Sequence, residues 1–322
     1  MKILKILLIL IIFIVIFLLI PQKTLIFQEK IITIERGETS FNIAFKLKDQ
    51  GIINNPYFFL LNAFLKNNIK KLQAGEYLLN SKMTNDEIIN ILNKGETIKN
   101  KITIIEGWTN KDIAEYLEKI NLFEKNKILD LINSNSFNFD FLKNNTGTLE
   151  GYLFPDTYLL EKNETEGGAI KIILENFNKK LTLELREEII RQNKTIFEII
   201  TMASLIEKEV ITYEDKRIVS GILWKRIDIK MPLQVDATIL YALKEHKTRI
   251  SIEDTKIDSL YNTYKYRGLP LGPICNPGIE SIKAAIYPIE NNYWYYLSKP
   301  NKETVFSKTL EEHNINKNIY LK

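Results

Sequence analysis

The N-terminus constrains the fold most, because a continuous apolar run at the start of a chain has few stable surroundings. Lys2 and Lys5 precede an apolar run from Ile6 to Ile20, and Pro21 follows the run. At about 15 residues the run is shorter than a comfortable membrane span, but no small-residue cleavage site follows it. It predicts an uncleaved single-pass signal anchor over residues 1–27 in the cell membrane. The basic N-terminal tip is expected in the cytoplasm and the body outside the cytoplasm.

The composition indicates a globular body and excludes several classes of function. The 322 residues include 44 Lys+Arg and 40 Asp+Glu, so the net charge of +4 is too weak to suggest a nucleic-acid partner. The single cysteine, Cys275, can form neither an intramolecular disulfide nor a structural zinc site. Glycine-rich phosphate and dinucleotide loops are absent from the sequence. We therefore expect no bound metal and no cofactor.

A repeated pattern organises the first half of the chain. The segments from Ile32 to Leu47 and from Ile102 to Leu117 each indicate a short strand, a glycine turn, a threonine N-cap and an amphipathic helix. A second helix and a returning strand are predicted between them. The order strand-helix-helix-strand predicts a module over residues 28–98. This module resembles the LysM glycan-binding module, and a structural spacer that binds no glycan is an equally weighted alternative.

One helix in the second half places a carboxyl group on its apolar side. Apolar residues recur at helical spacing from Ile196 to Val210, and Glu207 falls on the same stripe. Glu198 and Glu209 are expected to face water. A carboxyl group on an apolar face resists ionisation, so the pattern suits a general acid that holds its proton near neutral pH. The alternative is a structural glutamate paired with a lysine or an arginine.

Four loop segments of the second half have the residue types of a sugar-binding cleft. They cover residues 148–158, 233–238, 261–264 and 268–278, and they are rich in Tyr, Asn, Gln, Asp, Gly and Pro. Aromatic faces stack on sugar rings, while amides and carboxylates bond to hydroxyl groups. An extended conformation of residues 233–238 would place Gln234, Asp236 and Thr238 on one face.

These segments together resemble the YceG-like family of endolytic murein transglycosylases. The resemblance is carried by Leu149 to Tyr158, Ala203 to Glu209, Tyr261 to Tyr264, Gly268 to Gly278 and Phe306 to Asn314, and it extends over essentially the whole chain. It implies an α+β fold in which a larger mixed catalytic domain occupies residues 99–322. The family's catalytic glutamate corresponds to Glu207, which helical spacing also singles out.

The resemblance implies a membrane-anchored lytic transglycosylase, a carbon–oxygen lyase that cleaves peptidoglycan without water. Glu207 would protonate the oxygen between N-acetylmuramic acid and N-acetylglucosamine, and would then assist attack by the muramyl 6-hydroxyl to leave a 1,6-anhydromuramyl end. The substrate-binding residues are expected to be Glu150, Tyr152, Gln234, Asp236, Thr238, Asn262, Tyr264 and Asn276. The expected partners are the glycan strand, the membrane and the penicillin-binding proteins that polymerise the strand.

Three alternatives remain open at this point. A hydrolytic muramidase would need a second carboxylate, for which Glu150, Asp156 and Asp236 are candidates. A membrane-tethered glycan-binding scaffold would need no catalytic residue. A pyridoxal-phosphate lyase is disfavoured, because the loops lack the glycine-rich phosphate cup that this cofactor needs. For Glu150 and the loop amides, fixing the loop is an alternative role to binding sugar.

Overall fold

The computed structural model describes residues 27–134, 136–145, 147–243, 247 and 250–321. These residues form two compact units. The first comprises the described residues up to Ile102 together with Leu159–Glu164, and the second comprises Thr103–Tyr158 and the described residues from Thr165 onward. Helices and short strands occur in both units, so the predicted α+β class is confirmed.

The first unit is built on an antiparallel pair of strands, β1 (Glu29–Ile34) and β2 (Gly75–Asn80). Helices α1 (Ser40–Asp49) and α2 (Pro56–Leu65) connect the two strands, and α3 (Asn85–Lys94) follows them. The predicted order strand-helix-helix-strand is therefore confirmed.

Side-chain alternation explains how this unit buries a core. Ile32 and Ile34 of β1 face inward, as do Tyr77 and Leu79 of β2, because successive side chains of a strand point to opposite sides. Apolar faces of the three helices cover them. Tyr77 satisfies its buried hydroxyl by donating to the carbonyl oxygen of Gln73 at 2.8 Å. The unit thus has a hydrophobic core of its own.

Four more strands form two small sheets. β3 (Lys99–Thr103) and β4 (Thr157–Glu161) pair in the segments where the chain passes from one unit to the other. β5 (Tyr295–Ser298) and β6 (Thr304–Ser307) form an antiparallel hairpin in the second unit. The C-terminal helix α12 (Leu310–Tyr320) packs against this hairpin.

The rest of the second unit is largely helical. Its helices are α4 (Asn110–Lys119), α5 (Lys125–Ile132), α6 (Glu166–Lys180), α7 (Leu183–Arg191), α8 (Ile196–Glu209), α9 (Tyr213–Asp228), α10 (Asp236–Leu243) and α11 (Ile279–Ile286). Short 3-10 turns occur at Asp140–Leu142 and Asp254–Lys256.

Helix α8 is the centre of this unit. A capping box between Thr195 and Glu198 begins the helix, since each side chain bonds to the backbone N–H of the other. Every residue from Ile199 to Ile206 is buried, and α7, α9, α10 and α11 all pack against the helix. The helix is therefore enclosed along its middle rather than amphipathic, so it positions the side chains at its end rigidly.

Two sequence-based expectations about side-chain environment are wrong. Glu209 does not point freely into water, because Tyr296 hydrogen-bonds to it and burial raises its pKa to about 7. Residues 233–238 are not an extended segment. Gln234 has a left-handed backbone with φ of 53°, and α10 begins at Asp236. The turn disperses the three side chains that an extended strand would have placed on one face.

The predicted signal anchor lies outside the described residues. Within the part of the chain that the structure does describe, no helix is both long and apolar enough to cross a membrane.

Candidate functional site

Glu207 lies near the C-terminal end of α8, where two other helices supply its partners. The Nζ of Lys216, on α9, is 3.3 Å from Oε1. The hydroxyl of Ser281, on α11, donates to Oε2 at 2.6 Å. The backbone N–H of Gly278, which caps α11, donates to the same oxygen at 3.0 Å. The carboxyl group is thus fixed in one orientation by donors that are distant in sequence.

The ion pair of Glu207 and Lys216 is nearly buried. The side chain of Lys216 is 3% exposed and that of Glu207 is 8% exposed. The cationic partner that sequence analysis offered as a structural alternative is therefore present. A buried charge that loses its partner is strongly destabilising, so each of these two residues depends on the other.

A second carboxyl group, that of Glu106, lies beside the same glycine. A Cβ atom on Gly278 would lie only 1.8 Å from Oε1 of Glu106, so any larger residue would displace this carboxyl group. Partial burial, and then the negative charge of Glu207, raise the pKa of Glu106, while Lys216 opposes this effect. Glu106 and Glu207 therefore belong to one electrostatic site.

Two loops hold this site together through their backbones. The N–H of Gly107 donates to the carbonyl oxygen of Asn276 at 2.9 Å. The N–H of Asn276 donates to the carbonyl oxygen of Trp108 at 2.8 Å. Lys208, next to Glu207, donates from Nζ to the carbonyl oxygen of Gly107 at 2.9 Å. These bonds fix the loop that carries Glu106 against the end of α8.

A cavity of about 600 Å³ lies in the second unit, and Lys208, the residue after Glu207, is part of its wall. Its lining residues are Thr109, Asn110, Lys111, Asp112, Leu129, Ile132, Asn133, Thr148, Glu150, Lys208, Ala237, Leu240, Tyr241, Tyr261 and Ile274. Two segments connect the cavity to the site: residues 106–112 run from Glu106 to Asp112, and residues 274–278 run from Ile274 to Gly278. Its wall combines apolar, aromatic, amide and charged groups, which is typical of a ligand-binding cleft.

Glu150 lies in the wall of this cavity, and no cation among the described residues hydrogen-bonds to its carboxyl group. Its side chain accepts hydrogen bonds from the backbone N–H of Asn110 (3.0 Å), from Asn276 Nδ2 (3.4 Å) and from the hydroxyl of Tyr241 (3.2 Å). Burial raises the pKa of Glu150 to about 8. Its contacts to the start of α4 and to Asn276 support the loop-fixing role.

The two predicted asparagines are buried and bond to the protein. Asn276 accepts from the N–H of Leu153 and donates to the carbonyl oxygen of Trp108. Asn262 donates to the carbonyl oxygens of Thr255 and Ile257. Both side chains are fully shielded from solvent, so the expectation that they contact sugar directly does not fit this conformation. Their amides shape the loops instead.

The remaining predicted binding residues separate into buried and exposed groups. Tyr152 is in an aromatic cluster with Phe141 and Phe177, and the Thr238 hydroxyl bonds to the carbonyl oxygen of Val235 and to Thr263, so neither reaches solvent. Direct sugar contact is therefore not supported for these two residues. Gln234 and Asp236 are exposed, and the half-buried Tyr264 hydrogen-bonds to Asp236. These three remain accessible to a ligand.

Cys275 and His313 contribute no further chemistry to this site. The thiol of Cys275 is buried and donates to the carbonyl oxygen of Ser204 at 3.3 Å, and burial raises its pKa well above the ordinary value. His313 stacks on Tyr295 of the C-terminal hairpin. Across the described ranges, no three His, Cys, Asp or Glu residues are grouped as metal ligands would be.

Sequence reasoning missed the partners of Glu207. Lys216 is nine residues further along the chain, and Ser281 is 74 residues away. Only the loop that ends at Gly278 could have pointed to a partner of Glu207. It is rich in glycine and proline, and so many rigid residues indicate an ordered loop. Glu106 precedes Gly107, the glycine turn of the second repeated segment. The repeat predicts only local structure at that turn, so it gives no sign of a functional carboxyl group.

The fold and site define a class of two-unit α+β protein, in which a central buried helix presents a clamped glutamate beside an open cavity. The chain belongs to the YceG-like family, whose sequence profile matches residues 32–319.

Individual relatives agree with this assignment. The chain is 36% identical over 306 residues to the endolytic murein transglycosylase of Bacillus subtilis, covering 90% of this chain and 84% of that protein. It is 29% identical to the Streptococcus pneumoniae (strain R6) protein of the same name, covering 88% of this chain and 57% of that longer protein. A crystal structure of a YceG-like protein from Listeria monocytogenes aligns with a TM-score of 0.61 and 32% identity, over 90% of this chain and 99% of that one.

Proposed function

We propose that this protein is an endolytic murein transglycosylase with Glu207 as its acid and base. It cleaves the bond between N-acetylmuramic acid and N-acetylglucosamine within peptidoglycan strands and leaves 1,6-anhydromuramyl ends. The observation that carries the proposal is the Glu207 carboxyl group, held in one orientation by Lys216, Ser281 and Gly278. The names of the relatives supply the substrate class.

The contacts of Glu207 suit a residue that first gives up a proton and then takes one. Ser281 and Gly278 both donate to Oε2, so the carboxyl plane is fixed and proton transfer falls to Oε1, which pairs with Lys216 whenever Glu207 is ionised. After the glycosidic oxygen has taken the proton, Lys216 and the two donors stabilise the carboxylate that forms. That carboxylate accepts the proton of the muramyl 6-hydroxyl as this oxygen attacks the anomeric carbon. The attack is intramolecular and gains from proximity, so no water is consumed.

We assign glycan binding to the cavity and to its exposed edge. The ring pair of Tyr241 and Tyr261, with centroids 4.8 Å apart, offers an aromatic wall for a sugar ring. The exposed Gln234 and Asp236 offer polar groups to hydroxyls. Glu150, Asn262 and Asn276 act as positioning residues that hold the loops in place.

Cellular placement follows from the sequence. The apolar run from Ile6 to Ile20 would anchor the chain in the cell membrane, with the body on the side where peptidoglycan is assembled. The module over residues 28–98 would be a LysM-like glycan-binding element, and the glycan polymerases would be neighbours.

One observation favours a hydrolytic muramidase as second candidate. Glu106 supplies a second carboxyl group in the Glu207 site, and a hydrolase needs two such groups. In that reaction Glu106 or Glu207 would activate a water molecule, and the products would be reducing muramic acid ends.

Digestion of isolated peptidoglycan tests these proposals. The wild-type chain is expected to release anhydromuramyl ends, read by mass spectrometry, and Glu207→Gln is expected to release none. Glu198→Gln is the matched control, because it lies on the same helix and glutamine preserves the capping box. Reducing ends would select the hydrolase. Equal activity of Glu207→Gln and wild type would refute the assigned role of Glu207.

A further inference from the structure

Asn110 carries a buried donor that the protein leaves unused. The residue is 4% exposed, and its Nδ2 has no hydrogen-bond partner among the described residues. Its other polar groups are engaged: Oδ1 accepts from Asn276 Nδ2 at 3.1 Å, and the backbone N–H donates to Glu150. Leaving a buried donor unsatisfied is costly, and Asn110 is part of the cavity wall, so a ligand acceptor that reached Nδ2 would remove that cost.

The surroundings of Asn110 narrow the chemistry of that acceptor. Asn110 lines the 600 Å³ cavity together with apolar side chains, among them Leu129, Ile132 and Ile274. An acetamido group combines a carbonyl acceptor with a methyl group, so it can bond to Nδ2 while the methyl group packs on the apolar wall. A hydroxyl group would leave that wall without a partner. Near neutral pH the protonated Glu150 beside it adds no negative charge that would repel the carbonyl oxygen.

The position of Asn110 connects this contact to the Glu207 site. Asn110 begins α4, directly after the loop that carries Glu106 and Gly107. Its Oδ1 is held by Asn276, in the loop that continues to Gly278 and so to Glu207. A sugar held at Asn110 would therefore lie along the two segments that lead to the reacting carboxyl group.

We infer that Asn110 is a specificity-determining residue that binds the N-acetyl carbonyl of an amino sugar in this cavity. The inference rests on the proposed function in taking a glycan as the ligand. It adds which chemical group of the glycan is recognised and which side chain recognises it.

Two neutral tetrasaccharides with the same β-1,4 backbone provide the test. Chitotetraose carries an acetamido group at each C2, whereas cellotetraose carries a hydroxyl group there. Calorimetric titration of the full chain in detergent micelles is expected to give a clear preference for chitotetraose. Asn110→Asp keeps the oxygen that Asn276 uses but removes the Nδ2 donor, and it is expected to lower that preference about tenfold.

Controls separate loss of the donor from other effects. Asn318→Asp makes the same chemical change at an exposed position of α12, which does not line the cavity, and it is expected to keep the preference. Asn110→Ala removes the donor without adding a carboxyl group, so it covers the case in which Asn110→Asp does not fold. With peptidoglycan as substrate, both Asn110 variants are expected to raise KM more than they lower kcat.

The outcomes distinguish this inference from the proposed function. Equal binding of both tetrasaccharides by the wild-type chain, or an unchanged preference in both Asn110 variants, would overturn the inference even where anhydromuramyl ends are formed. A chain that forms no such ends, yet prefers chitotetraose through Asn110, would support the inference and refute only the proposed activity.

Discussion

Glu207 and Glu150 are both largely buried carboxyl groups of the second unit, but their surroundings differ in charge. Glu207 pairs with Lys216 and accepts two further hydrogen bonds. Among the described residues, the Glu150 carboxyl group bonds to an amide, a backbone N–H and a phenol, and burial raises its pKa to about 8. Similar burial therefore serves two purposes. The cation supports a group that must exchange its proton, whereas neutral donors hold a group that keeps its proton near neutral pH.

The largest expected effect separates the two residues by activity. Glu207→Gln is expected to lower the rate of anhydromuramyl-end formation roughly a thousandfold, because it removes the transferable proton. Glu150→Gln is expected to keep activity within about tenfold of wild type near pH 6.5, since a carboxamide resembles a protonated carboxyl group in shape. Initial rates on isolated peptidoglycan check both. An equally large loss in Glu150→Gln would make Glu150 the proton donor and reverse the comparison.

The second prediction concerns the cation. Lys216→Met leaves the carboxylate of Glu207 buried without its partner, so unfolding free energy is expected to fall by about 3–5 kcal/mol. Adding Glu207→Gln should recover much of that loss, because the stranded charge is then gone. Urea unfolding of the single and double variants measures the coupling. Additive losses would mean that the two side chains act independently.

The third prediction concerns pH and Glu150. Its folded pKa of about 8 exceeds the ordinary value of 4.5, so between these two values the folded chain holds a proton that the unfolded chain has lost. Stability should therefore fall by a few kcal/mol as the pH rises from about 5 to 8. Urea unfolding across this range should give a flatter profile for Glu150→Gln than for wild type. Parallel profiles would show that Glu150 is ionised in the folded protein.

The smallest expected effect concerns Glu106. Removing its negative charge with Glu106→Gln takes one charge out of the Glu207 site, so kcat/KM on isolated peptidoglycan is expected to change by only about threefold, with anhydromuramyl ends still formed. Glu187→Gln is the matched control, because Glu187 is an exposed carboxylate on α7. A comparable change in the control would assign the effect to general surface charge. A loss of all activity in Glu106→Gln would instead favour the two-carboxylate hydrolase.

Helical spacing along one segment was enough to predict α8 and to single out Glu207. It could not predict Lys216 or Ser281, because those contacts depend on how α9 and α11 pack against α8. The alternation expected of an extended segment failed for Thr238, since the left-handed turn at Gln234 sends the chain into α10. Local patterns therefore predicted the elements, while the chemistry around the carboxyl group depends on tertiary contacts.

The burial of Cys275 has a practical consequence for experiments. It is the only cysteine in the chain, its thiol is enclosed, and burial raises its pKa well above the ordinary value, so little thiolate is available to react. A cysteine introduced at an exposed position such as Leu271 would then be the one reactive thiol under native conditions. Maleimide dyes or spin labels could be attached there without first removing the native residue, and they would report on glycan binding at the loop that leads to Gly278.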